Sequence, residues 1–192
     1  MKGIFSLFLG FLVLFIGSIS ASASTLENQG ISIEPSAIPV ALTYPGTSVQ
    51  VKAGDVLVSS VGLDTKFVGH IGIVDDTGYV VHMVPGGMRR QTIGQYSNSF
   101  RYKVYGAKST TAGFNASRQA KYIWNTYSGS ATYTTATALH GARASQYCTK
   151  LVWQSYFYGT DKINLNTQPL TRLAVPPSYI VDTYYLSFKV SI

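Results

Sequence analysis

Residues 69–83 read "GHIGIVDDTGYVVHM". Two apolar runs flank Asp75-Asp76-Thr77-Gly78, the pattern of a β-hairpin. Asp at the first turn position and Gly at the last predict a type I turn with Gly78 in the left-handed region, forming a bulge. If Asp76-Thr77-Gly78 is the loop, Asp75 pairs with Tyr79. Counting outward then puts His82 opposite Gly72 and His70 opposite Val84. Both histidines fall on one face as diagonal neighbours, about 7–8 Å apart at the backbone and within side-chain reach. A slip of one residue would send them to opposite faces. Gly72 leaves room for the imidazole across from it.

Upstream, "VKAGDVLVSS" holds a Gly54-Asp55 turn signal and a short buried strand at Val56-Leu57-Val58. Downstream, "RQTIGQYSNSFRYKVYGA" mixes alternation with turn residues and predicts a further strand pair from Arg90 to Tyr105. "PGGMRRQ" is expected to be a loop near the histidines. Its Arg89 and Arg90 are candidates to hold a substrate carboxylate or phosphate, or are simply two solvated arginines at a strand start. The period then changes. Ala116, Ala120, Ile123 and Trp124 stand at helical spacing, with Asn115 or Ser117 as cap and Gly129 as stop. "SATYTTATALHGA" has no assignable pattern. A closing strand is expected within "PPSYIVDTYYLSFKVSI".

The second decisive stretch is "ARASQYCTKLVWQSYFYG", residues 142–159, which contains the chain's one cysteine. Tyr147, Cys148, Leu151, Val152 and Ser155 share a helical face. Ser145 is the expected N-cap and Gly159 the expected end. Cys148 then lies in the first turn, where free backbone amides and the helix dipole favour a thiolate. Those amides also supply donors for an oxyanion. Strands, helix, helix, strand make an α+β domain, a small antiparallel sheet packed against the helix that carries Cys148.

The N-terminus sets the redox context. Lys2 precedes an uncharged apolar run from Gly3 to Ile19, and Ala21-Ser22-Ala23 is a small-x-small site. Residues 1–23 are expected to be a signal peptide, cleaved near Ala23, leaving a secreted or cell-envelope protein. Residues 24–50 form a Pro-, Gly- and Ser-rich arm with a short strand near Ile38 to Leu42, and residues 51–192 the catalytic domain. In an exported chain a lone cysteine has no internal disulfide partner. Three readings of Cys148 follow: a buried small hydrophobe, an intermolecular cross-link, or a nucleophile.

The formal charge is +7 and diluted along the chain. This suits an anionic wall polymer or lipid surface as partner. Nucleic acid is excluded, since there is no Lys/Arg-rich run and no recognisable module. The cysteine and histidines have no Cys-x-x-Cys or His-x-x-x-His spacing, so no metal or other cofactor is expected. A thiol at a helix start with two imidazoles on one sheet face is a nucleophile–base arrangement, one histidine acting as base and the other orienting it. His140 matches no motif and is expected in a loop or at a pocket rim.

Three segments carry a family likeness. "CTKLVWQSYFYG" resembles the nucleophile helix of NlpC-type cell-wall cysteine peptidases. "AGDVLV" resembles their Gly-Asp-Leu-Val strand. "GHIGIVDDTGYVVHM" resembles their His-bearing hairpin, with its two polar positions twelve apart, as His70 and His82 are. The order differs, because here the hairpin precedes the cysteine. That is the order of the circularly permuted papain-like branch, which includes YiiX-like hydrolases and lecithin:retinol acyltransferase-like proteins. Thr149 stands where the family usually has Ser, and Tyr147 where it has Asp.

The resemblance implies Cys148 as nucleophile, His70 as general base and His82 as the residue orienting it, with the Cys148 amide in the oxyanion hole. It implies a cysteine amidase or peptidase acting on peptidoglycan peptides through a thioester. The alternatives are a lipid-directed acyl hydrolase or acyltransferase of the same fold, and a non-catalytic wall-binding module.

Overall fold

The computed structural model describes residues 38–39, 41–60, 69–160, 162–181 and 184–192. The expected signal peptide and most of the arm lie outside them. All described residues fall in one compact unit, Ile33–Ile192. No helix among them is long and apolar enough to cross a membrane.

The hairpin forms in the expected register. Strands β2 (His70–Val74) and β3 (Tyr79–Val84) pair antiparallel with Gly72 opposite His82. Asp75 N–H donates to Tyr79 O at 2.8 Å, and Gly78 takes φ +88°. The Asp75 carboxylate fixes the turn, accepting from Thr77 N, Thr77 Oγ1 and Tyr79 N. A Cβ added at Gly72 would stand 2.7 Å from Val80 Cγ1 and 3.3 Å from His82 Cβ, so the glycine makes room for the imidazole.

Around this hairpin the sheet grows to six antiparallel strands. Strand β1 (Val56–Ser59) pairs with β2, and β4 (Gly87–Thr92) pairs with β3. Strand β5 (Lys103–Ala107) pairs with β1 and with the closing strand β8 (Leu186–Ser191), giving the order β4-β3-β2-β1-β5-β8.

The expected strand pair from Arg90 to Tyr105 is not formed. "PGGMRRQ" is not a loop: Pro85-Gly86 is a two-residue turn that returns the chain as β4, with Gly86 at φ +104°. The next residues are helix α1 (Ile93–Ser99), because Thr92 and Gln95 make a reciprocal capping box. Ile93 and Tyr96, three apart, bury its inner face.

Helix α2 (Thr110–Tyr127) begins upstream of the expected caps, at Ser109, whose hydroxyl accepts from Ala112 N–H. It ends at Ser128, not at Gly129. The segment 130–142 contains β6 (Thr132–Tyr133), which runs parallel to β7 (Ser145–Gln146). Ser145 is therefore in a strand and does not cap the cysteine helix. That helix, α3 (Cys148–Gly159), starts from Tyr147 with no side-chain cap, so Cys148 is its first residue and not its third.

Residues 148–156 of α3 are buried on every side, which is why an amphipathic reading of one face was too narrow. Its polar side chains hold the segment before it. Lys150 Nζ donates to Thr137 Oγ1, Ala142 O and Ser145 O, and Gln154 Nε2 to Leu139 O and Gly141 O. Gly159 lies flat against α2, where a Cβ would sit 2.7 Å from Asn115 O. Its value is close helix packing, since its φ is not in the left-handed region.

Two cores result. Helices α2 and α3 cover one face of the sheet through Val56, Ile71, Ile73, Val81, Leu151 and Val152. Ile38, Tyr44, Val51 and α1 cover the other through Leu57, Val74, Val80 and Val104. The strand expected near Ile38 to Leu42 is absent among the described residues. Leu42 N–H bonds back to Pro39 O in a turn, and the ladder is a single Thr43–Gln50 bridge. The short helix α4 (Ser178–Val181) precedes β8.

Candidate active site

Alternation along β2 and β3 decides which face each site residue takes. Ile71 and Ile73 point to α3, so His70, Gly72 and His82 point to the α1 side. There His70 Nε2 and His82 Nδ1 meet at 2.8 Å. The other nitrogen of His82, Nε2, lies 2.8 Å from Gln91 Oε1 on β4. Phe100 stacks on His70 at 4.6 Å between ring centres, and Tyr96 meets His82 edge-on at 5.1 Å. His70 is 6% and His82 2% exposed.

Burial governs their charge. Desolvation, with the neighbouring His82, holds His70 down to about 3. Desolvation holds His82 down to about 4; the Gln91 hydrogen bond acts the other way and the Arg89 charge adds to the lowering. Both rings are neutral near pH 7.

Cys148 approaches from the opposite layer. Its side chain belongs to the core under α3, and it is buried. Thr149 Oγ1 lies 3.9 Å from the sulfur, and the nearby backbone amides of Ile71, Thr149 and Cys148 favour its anion. Ile71 immediately follows His70, so the thiol reaches the sheet at the backbone that carries the first imidazole. Among the described residues no hydrogen bond joins Sγ to either ring. The structure thus brings the two histidines into contact and sets the thiol against the adjoining peptide.

Burial pushes the Cys148 thiol up, against the lowering expected from the helix start. Removing the sulfur from water disfavours its anion more than the amides and the Thr149 hydroxyl favour it. The resting pair is a neutral thiol and neutral imidazoles.

The remaining candidates separate. Arg90 is committed: it donates to Asp75 Oδ2 and Thr77 Oγ1, both at 2.6 Å, and lies over the Tyr79 ring. Arg89 stands opposite His82, exposed. His140 is exposed, with Nδ1 3.0 Å from Leu170 O. Gln91, Tyr96 and Phe100 were not foreseen. Gln91 was legible in principle, because a Pro-Gly turn at residues 85–86 puts Arg89 across from His82 and Gln91 on the same face.

Fold and site together define an α+β protein with one buried thiol and a buried, hydrogen-bonded pair of neutral imidazoles. The chain belongs to the family described as lipoprotein N-acylation protein LnsA-like, whose pattern it matches over residues 4–191. It is 28% identical over 154 residues to an uncharacterized 30.3 kDa protein of Bacillus thuringiensis, covering 73% of this chain and 56% of that protein. The chain thus spans just over half the length of that relative. Its fold is similar to the crystal structure of metalloprotein yiiX from Escherichia coli O157:H7, with a TM-score of 0.53 and 14% identity. The likeness covers 73% of this chain and 97% of that one.

Proposed function

We propose that the protein is an acyl-handling enzyme in which Cys148 receives an acyl group as a thioester and passes it to water or an amine. The observation that carries this is the buried His70–His82 pair, 2.8 Å apart, with Cys148 buried at the start of α3 in the core that also holds Ile71, the residue after His70. Its family's description concerns lipoprotein N-acylation, which favours a lipid ester as acyl donor. A peptidoglycan peptide is the other donor class, taken from the resemblance to NlpC-type peptidases. The permuted papain-like arrangement is part of this proposal. Its support is the chain order, with β2 and β3 preceding α3.

His70 Nδ1 takes the thiol proton as sulfur attacks the ester carbonyl, and the tetrahedral oxyanion forms near the α3 first-turn amides. Collapse breaks the carbon–oxygen bond, and the imidazolium returns the proton to the departing alkoxide. Water or an amine then attacks the thioester, giving its proton to His70 and regenerating the thiol through the same imidazole. His82 keeps the His70 ring in place. An exported location, after loss of residues 1–23, puts the enzyme where lipid and wall substrates are found.

YiiX is described as a metalloprotein. The residues here do not fit an ion between the histidines. Two imidazole nitrogens sharing a tetrahedral zinc would stand about 3.3 Å apart, each about 2.0–2.1 Å from the metal. His70 Nε2 and His82 Nδ1 stand 2.8 Å apart, bonded to each other. Among the described residues no cluster of three or more His, Cys, Asp or Glu could hold a metal.

The test is mature protein incubated separately with phosphatidylglycerol vesicles and with soluble muropeptides, the products being read by mass spectrometry. Released fatty acid or acylated amine supports the lipid reading. Cleaved muropeptide moves the assignment to wall peptides. Neither product, from folded protein, removes the enzymatic reading.

A further inference from the structure

The hydrogen bonds around His82 have a direction, and Gln91 sets it. Gln91 Oε1 is a carbonyl oxygen and can only accept. The group facing it at 2.8 Å, His82 Nε2, must therefore carry the proton. A neutral imidazole has one proton, so His82 Nδ1 is bare. That bare nitrogen faces His70 Nε2 at 2.8 Å and can only accept from it. His70 Nε2 then carries the one proton of its ring, and His70 Nδ1 is left as an open lone pair.

We propose that Gln91 is a positioning residue whose side-chain carbonyl, acting through His82, locks His70 in the tautomer with Nδ1 free to accept a proton. This rests on the reading of His70 as the base for Cys148, and it adds a fourth residue on a third strand to that site. With the amide turned over, its NH2 would donate to His82 Nε2, His82 Nδ1 would donate to His70 Nε2, and the lone His70 proton would sit on Nδ1. The same three side chains would then offer the thiol a donor and not a base. The two states differ by one amide rotation and by the tautomer of each ring.

The surroundings leave Gln91 in control. The titratable or charged groups facing the imidazoles are Arg89 on β4 and Tyr96 on α1; Cys148 on α3 lies in the core on the other side of the sheet. Arg89 disfavours a second proton on His82 but does not distinguish its two neutral forms by hydrogen bonding. Tyr96 and Phe100 contact the rings through their faces and edges. Among the described residues, only Gln91 and the partner histidine make hydrogen bonds to the ring nitrogens. Position 91 is also well supported: it is the penultimate residue of β4, opposite Val80, between the paired residues Arg90 and Thr92.

A wrong tautomer is expensive for a thiol or hydroxyl nucleophile. In the serine-protease triad, replacing the residue that fixes the histidine tautomer lowers kcat by about 10⁴-fold. Gln91 acts one ring further out, so loss of its carbonyl should mix tautomers and lower kcat at pH 7 by about tenfold or more, within the roughly 10²–10⁴-fold that general base catalysis supplies. KM for a p-nitrophenyl acyl ester should stay within about twofold, because binding is not the step affected.

The experiment is nitrogen NMR of the full chain labelled with ¹⁵N-histidine at pH 7, with His140→Gln used to assign the third ring. Protonated and bare imidazole nitrogens resonate far apart, so each tautomer is read directly. The wild type should show protons on His70 Nε2 and His82 Nε2 and none on either Nδ1. Gln91→Leu should give averaged or doubled signals for both rings, with a proton share on His70 Nδ1. Gln91→Glu keeps an acceptor and should restore the wild-type tautomers, while its charge moves the acid limb of kcat to higher pH. A proton on His70 Nδ1 in the wild type overturns the proposal, as do unchanged tautomers in Gln91→Leu. If Gln91→Leu does not fold, the wild-type spectrum decides alone. The spectrum needs no turnover. A correct tautomer pattern in a protein that processes no acyl donor would reject the enzymatic reading and leave the Gln91 assignment standing.

Discussion

Acidification from pH 7 to pH 5 should weaken the fold through His70 and His82. Above their ordinary value of about 6.5, neither the folded nor the unfolded chain binds a proton at these rings, and the contribution is absent. Below it the unfolded chain takes up both protons. The folded chain does not until about 4 at His82 and about 3 at His70. Stability is therefore lost as pH falls through this window. One group with an unfolded value of about 6.5 loses about 1.8 kcal/mol between pH 7 and pH 5, so the pair loses about 3 to 4 kcal/mol. Against a typical total of about 5–15 kcal/mol this is large. Urea unfolding at both pH values, for wild type and for His70→Gln/His82→Gln, measures it. Asp55 acts in the opposite sense, since burial pushes its carboxyl up, and the comparison with the variant cancels it. The wild type should lose about 3 kcal/mol more than the variant, a difference set by the two rings alone. An equal loss in both proteins would refute burial of two neutral imidazoles.

Other outcomes test separate parts of the structure. Cys148→Ala should abolish turnover of a p-nitrophenyl acyl ester while circular dichroism stays native. Gly159→Ala drives a methyl to 2.7 Å from Asn115 O and 2.8 Å from Gln119 Cβ. It should cost about 1–3 kcal/mol in urea unfolding. Lys150→Met strips the only side-chain donor among the described residues from Ala142 O and Ser145 O and should destabilise by about 1–3 kcal/mol or more. Faster proteolysis within residues 134–146 would locate that effect.

What the sequence made legible was local. The Asp75–Gly78 turn sets a register by its own chemistry, so the meeting of His70 and His82 could be worked out from fifteen residues. The β4 strand and α1 were hidden for two reasons. Pro85-Gly86 reads as loop punctuation in the sequence, whereas it is a tight turn between β3 and β4. The Thr92–Gln95 capping box lay inside a run of residues that also alternates as a strand does. Burial was the harder problem. A charged Lys150 and an amide Gln154 do not mark a helix as interior, yet their partners are backbone carbonyls of the preceding segment. Interior placement also reverses the ionisation inferred for Cys148 from its helix position, because desolvation outweighs three amides and a hydroxyl.

Intact mass spectrometry of the mature protein, trapped by acid within seconds of mixing with phosphatidylglycerol vesicles or muropeptides, shows whether Cys148 carries the acyl group. One added acyl mass is expected, mapped by digestion to the peptide containing Cys148, released by hydroxylamine and absent in Cys148→Ala. An unmodified Cys148 in protein that nonetheless consumes the acyl donor would contradict acyl transfer through Cys148.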